Sequence, residues 1–373
     1  MNKKIIWSVI VIVVIAIIIS VVRKQGHAPV SQSEPIRVGA VLSLTGFASP
    51  WGEYGKNGIN AAVKRINMQG GIHGRPVQVT IEDDHTDGKQ AVSAFNKLQS
   101  IDKVQGVIGG VFDFTAQPVL PLAKNSQLAF ISPSNFRIAG GFDLNSQSFV
   151  MMTDFSTVIR KLTEYLSQDK LKKLAVIHFK STFGNEIAKT LDTVMKEQKK
   201  GAIVDEAYTQ IGNNDFKTTI IKLKSQGIDT VFLDMVGNDP LSFLTQAKAL
   251  GFAPTIITYN GTLDSFTNEK DKSLLENVVI LNWEVTSPQF TSIYKDEYGI
   301  PPTKSADKFF DAVYVMATAI ANSSDMTKVA SYIESHSVST PNTTITFTQN
   351  HTVSSTQVEV QVIKNGQLVS WKK

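Results

Sequence analysis

Residues 36–76, IRVGAVLSLTGFASPWGEYGKNGINAAVKRINMQGGIHGRP, decide the fold class of this chain. The apolar run IRVGAVL predicts a buried strand, KNGINAAVKRIN predicts an amphipathic helix, and a loop joins the two. A strand followed by a helix is the repeating unit of an open parallel α/β sheet. The loop after such a strand borders the crevice where ligands bind, so we expect Trp51, in or just after that loop, at the mouth of a binding site.

Length and charge limit the classes of protein that this chain can represent. A chain of 373 residues with 42% hydrophobic side chains exceeds the usual size of one domain, so we expect two. The first 27 residues hold four of the 37 basic side chains and no acidic one, which leaves 33 basic against 33 acidic side chains in the rest. Nucleic-acid binding requires clustered, uncompensated cations, so we expect no nucleic-acid partner.

The N-terminus predicts a membrane segment. Residues 5–22 form an almost unbroken apolar run of about 18 residues, roughly the minimum that spans a bilayer. We expect residues 1–27 to form an uncleaved anchor helix and 28–35 a linker, with the body outside the cytoplasm. The alternative is a signal cleaved near Gly26-His27-Ala28, which would leave a secreted or periplasmic protein. The sequence has no Cys, so neither a disulfide nor a lipid-bearing Cys is expected.

Strands and helices continue to alternate after residue 76. Apolar segments at 77–84, 173–179, 202–208 and 229–235 predict further strands with helices between them. A second series begins near Thr153, so we predict two α/β lobes in tandem. The first strand of each series is followed by an aromatic-Gly pair. These pairs, Trp51-Gly52 and Phe183-Gly184, would face each other across a shared crevice, which suits the capture of a small molecule.

Helix caps add local detail to this outline. Asp87 is expected to cap a helix. The predicted apolar face of that helix is Ala91, Ala94, Phe95, Leu98 and Ile101. Asp239 is expected to cap a second helix, with Pro240 in the first turn and Gly251 past the end.

These segments resemble those of a known family, the type I periplasmic binding proteins, and in particular the branched-chain amino-acid-binding group of ABC importers. The resemblance runs from about Ile36 to the C-terminal VEVQVIKNGQLV. The segments that carry it are VGAVLSLTG, the aromatic-Gly loop, GGIHGRPVQV, EDDHTDGKQAV, VIGG with Gln117-Pro118, ISP at 131–133 and QAKALGF at 246–252. Their order and spacing, rather than any single segment, make the resemblance specific.

The resemblance implies two Rossmann-like α/β lobes joined by three crossover strands, which close like a hinge on a ligand. We place the crossings near Thr153, Trp283 and Pro341. Lobe 1 would then comprise residues 36–153 and 284–339, and lobe 2 residues 154–283 and 340–373.

The resemblance also implies positions for the ligand contacts. Trp51 matches the aromatic residue that covers the ligand, and Phe183 stands where Tyr is usual. Asp113 replaces a small hydroxyl residue that binds the ligand carboxylate, and Phe136 replaces a second one. Asn260 stands where an acid pairs with the ligand ammonium.

These replacements change the expected ligand. A carboxylate at Asp113 would repel a ligand carboxylate by roughly 4 kcal/mol at an intermediate dielectric. An α-amino acid in the usual pose is therefore not expected, and we predict an apolar or aromatic ligand that is neutral or cationic. The predicted contacts are Trp51, Asp113, Phe114, Ser134, Asn135, Phe136, Phe183, Asp234 and Asn260.

Several of these residues have an ordinary structural alternative. Trp51 could pack on the surface, and Asp113 could cap a helix that starts near Phe114. Phe112 and Phe114 flank Asp113, so one of them is expected in the core. The run at 82–85, EDDH, has metal-ligand residue types, but caps and loop hydrogen bonds are the expected role because adjacent strand residues point to opposite faces.

The expected function is a solute-binding protein that delivers a small molecule to the permease of an ABC importer. One alternative is a membrane-anchored ligand sensor that acts through a partner, and another is a standard branched-chain amino-acid binder. No catalytic set, metal site or cofactor motif is recognised, so an enzyme is not expected. We expect the protein to be a monomer.

Overall fold

The computed structural model describes residues 34–138, 141–167, 172–212, 215–266, 269–283, 286–354 and 358–371. The predicted anchor at 5–22 and most of the linker lie outside these ranges. Within them, none of the helices combines the length and apolar character that crossing a membrane requires.

Lobe 1 is built on a five-stranded parallel sheet with the strand order β2-β1-β3-β4-β5. The strands are β1 (Ile36–Leu42), β2 (Val77–Asp83), β3 (Val107–Gly109), β4 (Phe130–Ser132) and β5 (Ser148–Val150). Six of the seven residues of β1 are buried, because helices cover both faces of a parallel sheet. The strand predicted first from the sequence is therefore a buried internal strand of the lobe 1 sheet, paired with β2 and β3.

The first helices of lobe 1 connect these strands. They are α1 (Ser49–Met68), α2 (Gly88–Ser100), α3 (Asp113–Ala116) and α4 (Leu120–Ser126), with a 3₁₀ turn at Gln117–Val119. The side chain of Asp87 accepts hydrogen bonds from the N–H groups of Lys89 and Gln90, so the predicted cap of α2 is confirmed. Ile101 was placed wrongly on the buried face: it follows the last turn of α2 and is 70% exposed.

A later part of the chain completes lobe 1. The helices are α10 (Pro288–Tyr298), α11 (Ala306–Asn322) and α12 (Val329–Ser335), numbered after the helices of the other lobe. Helix α11 packs against α1 and β1. A Cβ atom on Gly58 would lie 2.1 Å from the backbone oxygen of Ala306, so glycine is required where α1 crosses α11.

Lobe 2 is built on a seven-stranded sheet with the order β14-β13-β10-β9-β8-β6-β7. The strands are β6 (Leu174–Phe179), β7 (Val204–Tyr208), β8 (Thr230–Asp234), β9 (Thr255–Tyr259), β10 (Val279–Asn282), β13 (Glu359–Lys364) and β14 (Gln367–Ser370). Strands β6 to β10 are parallel, and β13 and β14 run antiparallel at one edge. The predicted architecture of two α/β lobes with parallel sheets is confirmed.

The helices of lobe 2 connect its parallel strands. They are α5 (Phe155–Leu166), α6 (Thr182–Glu197), α7 (Lys217–Ser225), α8 (Asp239–Ala249) and α9 (Glu269–Lys272), with 3₁₀ turns at Asn260–Ser265 and Ser273–Leu275. Asp239 was predicted as the cap of α8, but Asn238 occupies the cap and Asp239 is the first helical residue. The carboxylate of Asp239 instead accepts the N–H of Gly212 at 3.0 Å.

The segment between α12 and β13 packs on lobe 1. Its strands β11 (Val338–Ser339) and β12 (Thr344–Ile345) pair with each other. Phe347 and Val353 belong to the same hydrophobic cluster as Phe149 and Phe309. This packing disagrees with a crossing near Pro341, so we propose that lobe 1 extends at least to Val353. The predicted crossings near Thr153 and Trp283 lie between β5 and α5 and between β10 and α10, and they remain proposals.

Candidate functional site

A cavity of about 130 Å³ lies between the two lobes. This volume is below the range of about 300–1,000 Å³ that holds drug-sized ligands, so the cavity suits a small solute. All nine predicted contacts line it, namely Trp51, Asp113, Phe114, Ser134, Asn135, Phe136, Phe183, Asp234 and Asn260. They meet there because most of them follow the carboxyl ends of parallel strands.

Trp51 and two phenylalanines form the lobe 1 wall of the cavity. Trp51 is half-buried in the first turn of α1 and meets Phe112 edge to face, with ring centroids 5.8 Å apart. Phe112 and Phe114 stack at 5.4 Å with an angle of 7° between their planes. Phe112 also packs against the lobe 1 core, so Phe112 is the core-contacting member of the pair.

A second aromatic group joins the two lobes. Phe136 of lobe 1 stacks on Phe183 of lobe 2 at 6.0 Å, with 11° between the rings. Trp283 meets Phe136 edge to face at 5.1 Å, and Tyr259 meets Phe183 at 6.2 Å. Phe136 and Phe183 therefore contact each other as well as the cavity, which makes them part of the closed interface between the lobes.

The carboxylate of Asp113 bridges the cleft. Its Oδ1 accepts the N–H of Phe114 at 2.9 Å, and its Oδ2 accepts the N–H of Phe183 in lobe 2 at 3.0 Å. Burial raises the pKa of Asp113, and the backbone hydrogen bonds from Phe183 and Phe114 partly offset that rise. Phe112 occupies the cap position of α3 and Asp113 is the first helical residue, one position later than the cap that the sequence suggested. Asp113 still accepts an N–H group in the first turn of α3 through Oδ1, and it accepts one in the first turn of α6 in the other lobe through Oδ2.

Ser134 and Asn135 follow β4 and are fixed by carbonyl groups of the neighbouring loop. The hydroxyl of Ser134 donates to the carbonyl oxygen of Val111 at 2.9 Å. The Nδ2 group of Asn135 donates to the carbonyl oxygen of Gly110 at 2.7 Å and to Oγ of Ser132 at 2.9 Å. These side chains hold the loop after β3 in place, and their donors are directed at the protein rather than at the cavity.

Asp234 is the second acid in the site. It ends β8, and its Oδ1 accepts the O–H of Tyr259 at 2.7 Å. Burial raises its pKa to about 6; the Tyr259 hydrogen bond and nearby His178 oppose the rise, and the charge of Asp113 adds to it. A Cβ atom on Gly184 would lie 2.7 Å from Oδ2 of Asp234, so the Gly of the second aromatic-Gly pair makes room for this carboxylate.

Asn260 supplies an unpaired acceptor. It follows β9, it is 5% exposed, and its Oδ1 has no hydrogen-bond partner. The backbone oxygen of Asn260 accepts a hydrogen bond from Nζ of Lys304, which comes from lobe 1. A buried polar atom without a partner is costly, so Oδ1 marks a place for a donor from a ligand.

The sequence prediction missed several lining residues. The most important are Tyr259, Trp283 and Lys304. Tyr259 precedes Asn260 at the carboxyl end of β9, a position that could have been recognised. Trp283 was predicted only as a point where the chain crosses between the lobes. Lys304 lies in a loop before α11, and no sequence signal connects it to the cavity.

The acidic run at 82–85 has the predicted structural role. Oδ1 of Asp83 accepts the N–H groups of Leu44 at 2.9 Å and of His85 at 2.8 Å. Its Oδ2 accepts the hydroxyl of Thr45 at 2.7 Å. The expected loop hydrogen bonds are therefore confirmed for Asp83. In the part of the chain that the structure describes, no group of His, Asp and Glu side chains could hold a metal ion.

Comparison with known proteins supports the same two-lobe architecture. A family model described as periplasmic binding protein matches residues 35–367. The Leu/Ile/Val-binding protein of Escherichia coli (strain K12) is 25% identical over 325 residues, which cover 83% of this chain and 85% of that protein.

Solved structures show the same fold. The substrate-binding protein LivJ of Streptococcus pneumoniae, in complex with isoleucine, superposes with a TM-score of 0.77 and 20% identity, covering 91% of this chain and 100% of that chain. An ABC transporter solute-binding protein of R. palustris, in complex with benzoate, gives a TM-score of 0.76 and 18% identity, covering 90% of this chain and 95% of that one.

Proposed function

Because the chain belongs to the periplasmic binding protein family, we propose that it captures a small solute between its lobes and delivers it to the permease of an ABC importer. The observation that carries this proposal is the cavity enclosed by both lobes, with aromatic walls and a few polar groups. A concave, mainly apolar site with a small number of directed polar groups is the general form of a small-molecule site.

The proposed ligand is not an α-amino acid in the pose that the family resemblance implies. Asp113 is buried where a ligand carboxylate would be placed, and like charges a few ångströms apart repel by roughly 4 kcal/mol at an effective dielectric of 20. Asn260 lacks the negative charge that would pair with an ammonium at its position. The relatives named for Leu, Ile and Val are only about a quarter identical to this chain, which leaves room for a changed ligand.

Capture operates through closure of the lobes. Contacts that cross the cleft among the described residues include Asp113 with the N–H of Phe183, the ring of Phe136 with that of Phe183, and Lys304 with the backbone of Asn260. A ligand that touches both walls adds further contacts to the closed form and shifts the population toward it. The membrane partner then recognises the closed form.

We place the two lobes outside the cytoplasm, where periplasmic binding proteins act, and propose residues 5–22 as their membrane anchor. Cell fractionation tests this arrangement. An anchored chain stays with the membrane after a carbonate wash, whereas a chain released by signal cleavage appears in the soluble fraction.

A ligand screen tests the proposed function. The purified full chain, in mild detergent, is heated with amino acids, amides, aromatic acids, polyols and amines, and its melting temperature is recorded. At 100 times Kd, a ligand adds about 2.7 kcal/mol of stability. Hits are then tested by X-ray scattering, which should show a smaller radius of gyration with ligand. Absence of any stabilising solute would contradict capture.

Measurements of solute uptake by cells distinguish delivery to an importer from ligand sensing. Deleting the gene that encodes this chain should abolish the accumulation, in cells, of the labelled solute found in the screen. Re-expression of the chain should restore it. Accumulation that stays normal, together with a lost transcriptional response to the solute, would favour the ligand sensor instead.

A further inference from the structure

We infer that the cavity selects a small protonated amine without a carboxylate, carried on an apolar or aromatic body. This inference rests on the proposed function of solute capture and specifies its ligand class. The arrangement of hydrogen-bond donors, acceptors and charges around the cavity leads to it.

The place for a ligand anion is already filled by the protein. Helix N-termini bind anions because their first N–H groups are unpaired and the helix dipole is positive there. Asp113 Oδ2 accepts the N–H of Phe183, the second residue of α6, and its Oδ1 accepts the N–H of Phe114. A ligand carboxylate would have to displace Asp113 or lie beside it.

Three polar side chains of the lining donate their hydrogen bonds to other groups of the protein. Ser134 donates to the carbonyl oxygen of Val111, and Nδ2 of Asn135 donates to both Gly110 O and Ser132 Oγ. The O–H of Tyr259 donates to Asp234. An anionic ligand would therefore find these three donors occupied.

Acceptors and negative charge remain for a ligand to use. Oδ1 of Asn260 is buried without a partner, and it requires a donor. Asp113 and Asp234 line the same cavity, and each is more than nine-tenths buried. Lys304 is the one cation among the described residues of the lining, and its Nζ donates to the backbone of Asn260. Two carboxylates against one ammonium leave an excess of negative charge, which a cationic ligand would balance.

The aromatic walls suit the same class of ligand. The aromatic residues of the lining include Trp51, Phe112, Phe114 and Phe136 from lobe 1, together with Phe183, Tyr259 and Trp283. Aromatic faces attract ammonium groups and also bury apolar bodies. An amine attached to a branched alkyl or phenyl group would satisfy the acceptors, the charge and the walls together.

Two sets of matched compounds test this inference by calorimetry on the full chain. The first set is 3-methylbutylamine, L-leucine and 4-methylpentanoate, which share an isobutyl body. The second is 2-phenylethylamine, L-phenylalanine and 3-phenylpropanoate. We expect the amine to bind at least tenfold more tightly than its amino acid and its carboxylate in at least one set. Binding of leucine or phenylalanine at least as tight as that of the amines would overturn the inference and leave solute capture intact.

Other outcomes also decide between the two proposals. If neither amine binds while a neutral solute from the broader screen does, the amine inference is wrong and capture stands. If no solute of any class binds, both are wrong.

The variant Asp234→Asn tests the role of the negative charge. We expect amine affinity to fall at least tenfold, with no fall for the carboxylates. The control is Asp215→Asn, an exposed acid outside the cavity, which should leave both affinities unchanged. Circular dichroism and the melting temperature show whether each variant is folded. A folded Asp234→Asn protein with unchanged preference for the amine would contradict the inference.

Discussion

The Oδ2 atom of Asp113 in lobe 1 accepts a hydrogen bond of 3.0 Å from the backbone N–H of Phe183 in lobe 2. This hydrogen bond joins the two lobes at the N-terminus of α6. The negative charge at that helix end comes from the Asp113 carboxylate rather than from a ligand. The same residue thus contributes to closure and excludes a ligand carboxylate, and both roles can be tested by substitution.

Replacing Asp113 by Ser should restore binding of a carboxylate. The Asp113→Ser variant removes the buried charge and supplies a small hydroxyl at the N-terminus of α6. We expect the affinity for L-leucine to rise at least tenfold, which corresponds to about 1.4 kcal/mol. Calorimetry measures this change, with Asp215→Ser as the control for loss of an exposed acid. If leucine affinity is unaltered, the argument against amino-acid ligands fails.

Replacing Trp51 by Ala should weaken binding of the tightest solute found in the screen. Trp51 lines the cavity and packs on Phe112, and loss of a buried aromatic contact costs on the order of 2 kcal/mol. That cost corresponds to a loss of affinity of some tens-fold. Trp371→Ala is a matched control, because Trp371 packs on Tyr165 and is not part of the lining. An affinity within twofold of the unmodified protein would remove Trp51 from the site.

Amine binding should weaken as the pH falls below about 6. The pKa of Asp234 is raised to about 6 by burial, and the ionised form is the one that attracts an ammonium. Protonation therefore reduces affinity, by at most about tenfold per pH unit for one proton. The titratable groups that face Asp234 are Tyr259, Tyr208, His178 and Asp113. The pKa of Asp113 is also raised, and protonation of Asp113 acts in the same direction. Titrations between pH 7.5 and 5 measure the effect. Affinity that is constant or rises toward pH 5 would contradict it, and Asp234→Asn should flatten the profile.

Asp311 should make the protein less stable as the pH rises toward neutrality. Its Oδ1 accepts the hydroxyl of Thr340 and its Oδ2 accepts Nδ2 of Asn342, deep in lobe 1. Burial raises its pKa to about 7, and Asp307 adds to the rise, while Thr340, Asn342 and Lys308 oppose it. An unfolded Asp titrates near pH 4, so the folded state holds the extra proton between about pH 4 and 7. That contribution to stability is complete below pH 4 and is lost as the pH rises through about 7.

The variant Asp311→Asn measures this contribution, because Asn stays neutral at every pH. The free energy of unfolding of the variant, minus that of the unmodified protein, should increase from pH 4.5 to pH 7.5 by up to the order of 4 kcal/mol. Urea unfolding at the two pH values gives the difference, and Glu53→Gln on the surface of α1 is the control. Parallel pH profiles for Asp311→Asn and the unmodified protein would show that Asp311 carries no raised pKa.

Local sequence patterns predicted those features that depend on neighbours in the chain. Asp87 was recognised as a cap because a cap bonds to N–H groups two and three residues later. Asp239 was misplaced by one residue because Asn238 before it can also occupy the cap. Ile101 continued the apolar pattern of α2 but lies beyond its last turn, where periodicity no longer applies.

Site residues were predicted where strand ends or the family resemblance indicated them. The family resemblance indicated Asp113 and Asn260, and both line the cavity. Each comes shortly after a strand, which brings it to the edge of the sheet that borders the cleft. The partner of Asp113 could not be predicted, because Phe183 lies 70 residues away and in the other lobe. Lys304 was missed for the same reason, since it reaches the site from the late segment that completes lobe 1.

The sequence alone indicated the α/β class and the presence of two lobes, which follow from hydrophobic periodicity, a local property. The family resemblance indicated nine of the residues that line the cavity, but not Tyr259, Trp283 or Lys304. Only the tertiary structure decided which donors are engaged, which acceptor of Asn260 is left unpaired, and that Asp113 bonds to the opposite lobe. These properties depend on distances between residues far apart in the chain, and those distances are set by how the lobes pack and close.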